Sequence, residues 1–202
     1  MIKKIISGAC AGILISIGGT VYLSCDNKYV GAVLFSVALL CICIKGYSLF
    51  TGKVGYLPEK HGKEEFSVLL LGLLGNFVGT VACGYLLRYV MPAIGTSAAA
   101  SCATKLTQTT LQTFVRAIFC GFLMYLAVSI YRDSKTVVGI IFCIPVFILS
   151  GFEHSIADMF YFAASGIVSL RAFAFIFVVI AGNAVGAITL SLMTLICKRK
   201  ES

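Results

Sequence analysis

The sequence has no tryptophan, three prolines and two histidines, and only 12% of its 202 residues are charged. Soluble domains carry about a quarter charged residues. With 59% hydrophobic residues and a mean hydropathy of +1.01, the shortage of charge argues against a water-soluble globular enzyme. The histidines, His61 and His154, stand far apart, and no Cys-x-x-Cys occurs among the nine cysteines. A metal centre therefore has no ligand set to draw on, and no cofactor is expected. Most of the cysteines (Cys10, Cys41, Cys43, Cys83, Cys120, Cys143 and Cys197) sit inside apolar runs, where they serve as small packing residues rather than disulfide partners. The basic residues are not interleaved with stacking aromatics on a polar face, so the formal charge of +8 does not point to nucleic acid.

What is present is apolar sequence in long runs. Six stretches, roughly 5–24, 30–50, 66–87, 112–131, 136–161 and 172–197, are each long enough to cross a bilayer. They lack the alternation of barrel strands. The first follows Lys3 and Lys4 and could pass for a signal peptide, but its length and the spans after it mark a retained helix. The expected fold is an all-α polytopic membrane protein with six transmembrane helices in one domain over 1–202. With the N-terminus inside, ten basic residues (Lys3, Lys4, Lys53, Lys60, Lys63, Arg132, Lys135, Lys198, Arg199, Lys200) fall inside. Five (Lys28, Arg88, Lys105, Arg116, Arg171) fall outside. This bias predicts both termini in the cytoplasm of a cell-membrane protein in contact with anionic lipid.

The chain also repeats itself. Gly75-Asn76-Phe77-Val78-Gly79 and Gly182-Asn183-Ala184-Val185-Gly186 share a Gly-Asn-x-Val-Gly pattern in the third and sixth stretches. Three spans per half reverse the direction of entry, which predicts inverted repeats of about 1–95 and 96–202, with a binding site near the midplane at broken helices. Each asparagine either bonds a neighbouring helix or lines a pore. The second stretch ends Lys45-Gly46-Tyr47-Ser48-Leu49-Phe50-Thr51-Gly52-Lys53, and the fifth contains Ser150-Gly151-Phe152-Glu153-His154-Ser155-Ile156-Ala157-Asp158. Glycines beside polar residues at membrane depth predict breaks in both, and ionisable groups there are functional candidates. His154 titrates near neutral pH when unperturbed, so it suits proton exchange with a weak acid. Glu153 faces away from it and reads as structural. Lys45 requires an ion pair, with either Glu153 or Asp158.

These residues resemble the formate/nitrite transporter family over nearly the whole chain, which is identified as a short member. Gly151-Phe152-Glu153-His154-Ser155-Ile156-Ala157 resembles the family's fifth-helix signature, Leu49-Phe50-Thr51-Gly52 its second-helix loop, and Cys120 to Val128 its fourth-helix signature. The resemblance implies an aquaporin-like protomer with broken second and fifth helices, assembled as a homopentamer. It implies a central pair of Thr51 and His154. Phe35 and Leu39 align with the cytoplasmic-side constriction, Phe147 completes the apolar walls, and Leu49 and Phe50 align with the other slit. Met124 matches a wall residue, Lys105 the lysine that draws anions into the outer vestibule, and Asn183 a polar vestibule residue. Three positions depart from the pattern: Gly121 replaces an asparagine, which removes a donor expected near the central site. Ser48 replaces an acid, and Asp158 replaces an asparagine.

The expected function is a channel for small monovalent weak-acid anions, formate first and nitrite or hydrosulfide as rivals, with a proton as co-substrate. An anion would gain a proton at the Thr51–His154 site and cross the apolar slits as the neutral acid, with His154 either delivering the proton or polarising the site. A neutral-solute aquaporin is disfavoured because Pro58, Pro92 and Pro145 form no Asn-Pro-Ala. An intramembrane enzyme built on His154 with Glu153 or Asp158 lacks a nucleophile or a metal motif. A purely structural membrane protein leaves the paired breaks without purpose.

Overall fold

A computed structural model of the chain describes residues 1–199, Arg199 by its backbone alone; Lys200 of the basic C-terminal group lies outside the described residues. The elements are helical: α1 Ile2–Ser24, α2 Lys28–Lys45, α3 Phe50–Lys53 with a 3-10 turn over Val54–Tyr56, α4 Lys63–Val90, α5 Pro92–Lys105, α6 Thr110–Ser134, α7 Val138–Leu149, α8 Ser155–Ser165 and α9 Leu170–Arg199. Local chemistry sets many of the ends. Asn27 caps α2 by accepting from the Tyr29 and Val30 amides, and Thr109 and Gln112 form a reciprocal capping box at α6. Pro92 occupies the first turn of α5, where its missing N–H is harmless.

Among the described residues, five helices (α1, α2, α4, α6 and α9) are long and apolar enough to span a membrane. The fifth expected stretch, 136–161, is not one helix. It divides into α7, twelve residues with Pro145 inside, and α8. α8 is buried along its whole length, from Ser155 to Ser165, and it packs against α4 and α5. A departure from the expectation is α5: its Ala, Ser and Thr content conceals it from a hydropathy reading, yet it is a helix of 14 residues lying against α8.

The strongest pairings are α1 with α4 and α6 with α9, and the two use the same device. A Cβ on Gly12 of α1 would meet the Asn76 carbonyl oxygen at 2.5 Å and the Thr80 amide nitrogen at 3.1 Å. A Cβ on Gly121 of α6 would overlap the Asn183 carbonyl oxygen and meet the Ala187 amide nitrogen at 3.0 Å. Both pairs of helices thus approach backbone to backbone, as small residues permit in membranes. Gly121 therefore lies in a helix contact. The expectation that its change from asparagine removes a donor from the central site is corrected, because no side chain fits there.

Candidate functional site: a Thr–His contact between two chain breaks

Both interruptions begin with a left-handed glycine, Gly46 at φ +70° after α2 and Gly151 at φ +68° after α7. A residue with a Cβ would be strained at either position. Three non-helical residues follow before the chain re-enters a helix, with Leu49 as the N-cap of α3 and His154 as the N-cap of α8, both in the extended region. Each break strands backbone groups inside the protein, and a buried asparagine collects them. Asn76 Oδ1 accepts from the Phe50 amide at 2.9 Å, and its Nδ2 donates to the carbonyls of Ser48 and Gly8, both at 2.8 Å. Asn183 repeats the pattern: Oδ1 accepts from the Ser155 amide at 2.9 Å, and Nδ2 donates to the carbonyls of Glu153 at 2.8 Å and Ala117 at 2.9 Å. This resolves the choice left open by the sequence. Asn183 lines neither cavity described below, so the expectation of a polar vestibule residue is corrected: it is a clamp for the broken backbone, as Asn76 is.

The breaks bring together two side chains 103 positions apart. Thr51 Oγ1 lies 2.9 Å from His154 Nε2, and both residues are buried. The imidazole's other nitrogen, Nδ1, accepts from the Ala157 amide at 3.1 Å, capping α8. An amide can only donate, so Nδ1 carries the lone pair. In the neutral ring the proton then sits on Nε2, which donates to Thr51 Oγ1 and leaves the threonine hydroxyl proton free to point elsewhere.

Apolar residues flank this pair on two sides. Phe147 stacks on His154 with ring centroids 5.6 Å apart, and Phe35 meets Phe147 edge-on at 6.4 Å. Phe35, Phe147 and His154 line a cavity of about 280 Å³ together with Lys105, Glu153 and Asp158. A cavity of about 470 Å³ opens against Leu39, Leu49 and Gly52, and its wall includes Lys53 and Arg132. The expected grouping is thereby changed. Phe35 belongs with Phe147 on the His154 side, and Leu39 belongs with Leu49, because a helical offset of four residues along α2 carries the side chains from one cavity to the other. Phe50 and Met124 are buried and line neither cavity.

The charges are arranged differently from the expectation. Lys45 is exposed at the end of α2 and pairs with neither acid; its position beside the left-handed turn releases it to the surface. The cation that meets the acids is Lys105, from the helix α5 that hydropathy concealed. Its Nζ donates to Glu153 Oε2 and lies 2.9 Å from Asp158 Oδ1. Glu153 Oε1 accepts from Gln108 Nε2 at 2.7 Å. Gln108, a neutral residue in a loop, carries no sequence signal for this role.

The family model described as Formate/nitrite transporter matches residues 1–197. The chain belongs to the formate/nitrite transporter family. Among curated relatives it is 30% identical to the nitrite transporter NirC of Escherichia coli over 79% of this chain and 67% of that protein. It is 29% identical to a formate-nitrite transporter of Plasmodium ovale over 76% of this chain, and spans only 58% of that relative. It is 28% identical to the formate channel FocA of Haemophilus influenzae over 76% of this chain and 63% of the relative. Among solved structures, an FNT family ion channel shares the fold at a TM-score of 0.79 and 23% identity, covering 97% of this chain and 88% of the other. A pentameric formate channel with formate bound matches at 0.71 and 26%, covering 95% and 91%. Family membership and the apolar helices make this an integral membrane protein of a transporter and channel family, and relatives with both formate and nitrite names are among its matches.

Proposed function

We propose that this chain is a channel for small monovalent weak-acid anions that moves formate, with nitrite or hydrosulfide as the alternative substrate, together with a proton. The observation that carries the reading is the buried Thr51–His154 contact: His154 lines a cavity with Phe35 and Phe147, and a second cavity is lined by Leu39 and Leu49. A charge at the centre of a bilayer is costly, and apolar walls of this kind replace none of the hydration that an anion loses. They pass the neutral acid far more readily. In this reading Phe35 and Phe147 form one constriction, and Leu39, Leu49 and Phe50 form the other, backed by Met124. Thr51 offers its free hydroxyl proton to the substrate between them. His154 polarises the site and does not relay the proton, because protonating Nδ1 would set an N–H against the Ala157 amide and undo the cap of α8.

The proposal extends to architecture. Residues 1–202 form one channel domain of six spans, the fifth made of α7 and α8. Repeats of about 1–95 and 96–202 are inverted across the bilayer, in keeping with the matched glycine contacts and asparagine clamps. Five copies assemble in the cell membrane with both termini in the cytoplasm, as the basic residues favour and the pentameric relative supports. Uptake of radiolabelled formate, nitrite and sulfide into proteoliposomes tests the function. Saturable uptake of formate above both rivals, lost in His154→Asn, is the expected result. No uptake of any of the three above protein-free vesicles overturns it.

A further inference from the structure

The lysine cluster beside His154 is unbalanced. Lys105 is one cation, and it faces two carboxylates, Glu153 and Asp158, that are 2% and 1% exposed. A net charge buried without compensation is expensive; Arg116 on the cavity wall is exposed, bonds the Gly151 carbonyl and pairs with neither acid, so a proton on one carboxylate balances the cluster. The hydrogen bonds say which acid takes it. Glu153 has both oxygens satisfied as an anion, Oε2 by Lys105 and Oε1 by Gln108. Asp158 has the Lys105 ammonium beside Oδ1, but among the described residues neither of its oxygens has a hydrogen-bond partner, and Oδ2 has no cation beside it either. Asp158 also lines the cavity shared with His154, Phe35 and Phe147.

We propose that Asp158 holds a proton on Oδ2 and donates it to the anion entering this cavity, so that the substrate passes Phe35 and Phe147 as the neutral acid. The inference deepens the weak-acid reading above and rests on it. In the step, the Oδ2–H bond breaks and a bond from that hydrogen to the anion's oxygen or sulfur forms. The electron pair stays on Asp158, and the negative charge moves from substrate to carboxylate. Lys105 Nζ, already at 2.9 Å, stabilises that carboxylate until a proton from the aqueous side restores the acid. The other groups around Asp158 do not compete for this role. Cys102 of α5 and Cys120 of α6 are buried thiols close enough to feel its charge. Tyr161 shares its helix, and Tyr22 of α1 and Arg116 of α6 complete the titratable side chains of the wall with His154 and Glu153. No charged residue of α4 lines this cavity; α4 meets α8 through Gly84 against Ala163 and Ala164.

The test is formate entry into proteoliposomes carrying a trapped pH dye, over external pH 5 to 8, in wild type and Asp158→Asn. Without a local donor, entry must follow the neutral fraction in bulk, which falls about tenfold for each pH unit above the substrate's own pKa. The expected result is similar rates at pH 5 and a deficit of about tenfold or more in the variant at pH 7. Coincident profiles, with the wild type acidifying the lumen, overturn the role of Asp158 and leave the weak-acid channel standing. A wild type that takes up formate without acidification overturns both. Should Asp158→Asn fail to assemble, infrared spectra of the wild type decide. Glu153 and Asp158 are the buried acids of the described chain, so a protonated-carboxyl band at pH 7 that shrinks when formate is added supports the proposal. Absence of that band overturns it.

Discussion

At the scale of single residues, the site depends on which atoms donate. Thr51 Oγ1 is the acceptor for His154 Nε2–H, and removing it leaves a buried donor unpaired at about 1–3 kcal/mol. Thr51→Val, similar in shape, is expected to reduce formate uptake about tenfold at fixed pH while Thr51→Ser retains most of it; initial rates in proteoliposomes decide. Gly121 gives the opposite lesson. Restoring the asparagine that the family pattern has at this position places a side chain against the Asn183 carbonyl and the Ala187 amide. Gly121→Asn is expected to lower the melting temperature in detergent and not to improve transport, since overpacking a tight contact costs about 1–3 kcal/mol. His154 was conspicuous as an ionisable residue in an apolar run, and the family resemblance paired it with Thr51. The sequence could not assign the tautomer, because the amide that sets it belongs to a helix whose start is fixed only by the break.

At the scale of elements, two breaks are held by two asparagines with matching bonds. Replacing Asn183 by leucine strands the Ser155 amide and the Glu153 carbonyl at the break and removes the bond to the α6 backbone at Ala117. At about 1–3 kcal/mol for each buried group, Asn183→Leu is expected to cause a large loss of thermal stability, and Asn76→Leu a similar one; thermal unfolding of the purified protein checks both. A loss confined to transport, with stability unchanged, would refute the clamp. The breaks were legible in the sequence, since Gly46 and Gly151 interrupt apolar runs. The helix α5 was not, because its Ala, Ser and Thr residues have low hydropathy and its buried face is set by packing on α8. That omission is why Lys105 could be placed by resemblance but not paired with Glu153 and Asp158.

At the scale of the whole molecule, between 33% and 39% of each long span's apolar window is buried within the chain. The outer faces are therefore left to lipid or to other copies. Native mass spectrometry is expected to show five copies in detergent; a monomer that transports would refute the assembly. The orientation has its own check. Cys197 is exposed near the end of α9. In a variant that keeps only this cysteine, a membrane-impermeant maleimide is expected to label opened cells and to spare intact ones.

Composition alone determined that the chain lives in a membrane, and glycines beside polar intrusions marked where the backbone breaks. Those features are local, because hydropathy and backbone strain act within a few residues. The tertiary structure decided the partners: Thr51 with His154, Lys105 rather than Lys45 with the two acids, Phe35 with Phe147, and Asn183 as a clamp. Each is a contact between residues far apart in the chain. Such contacts depend on which helices can approach backbone to backbone, and that is settled by packing across the whole bundle.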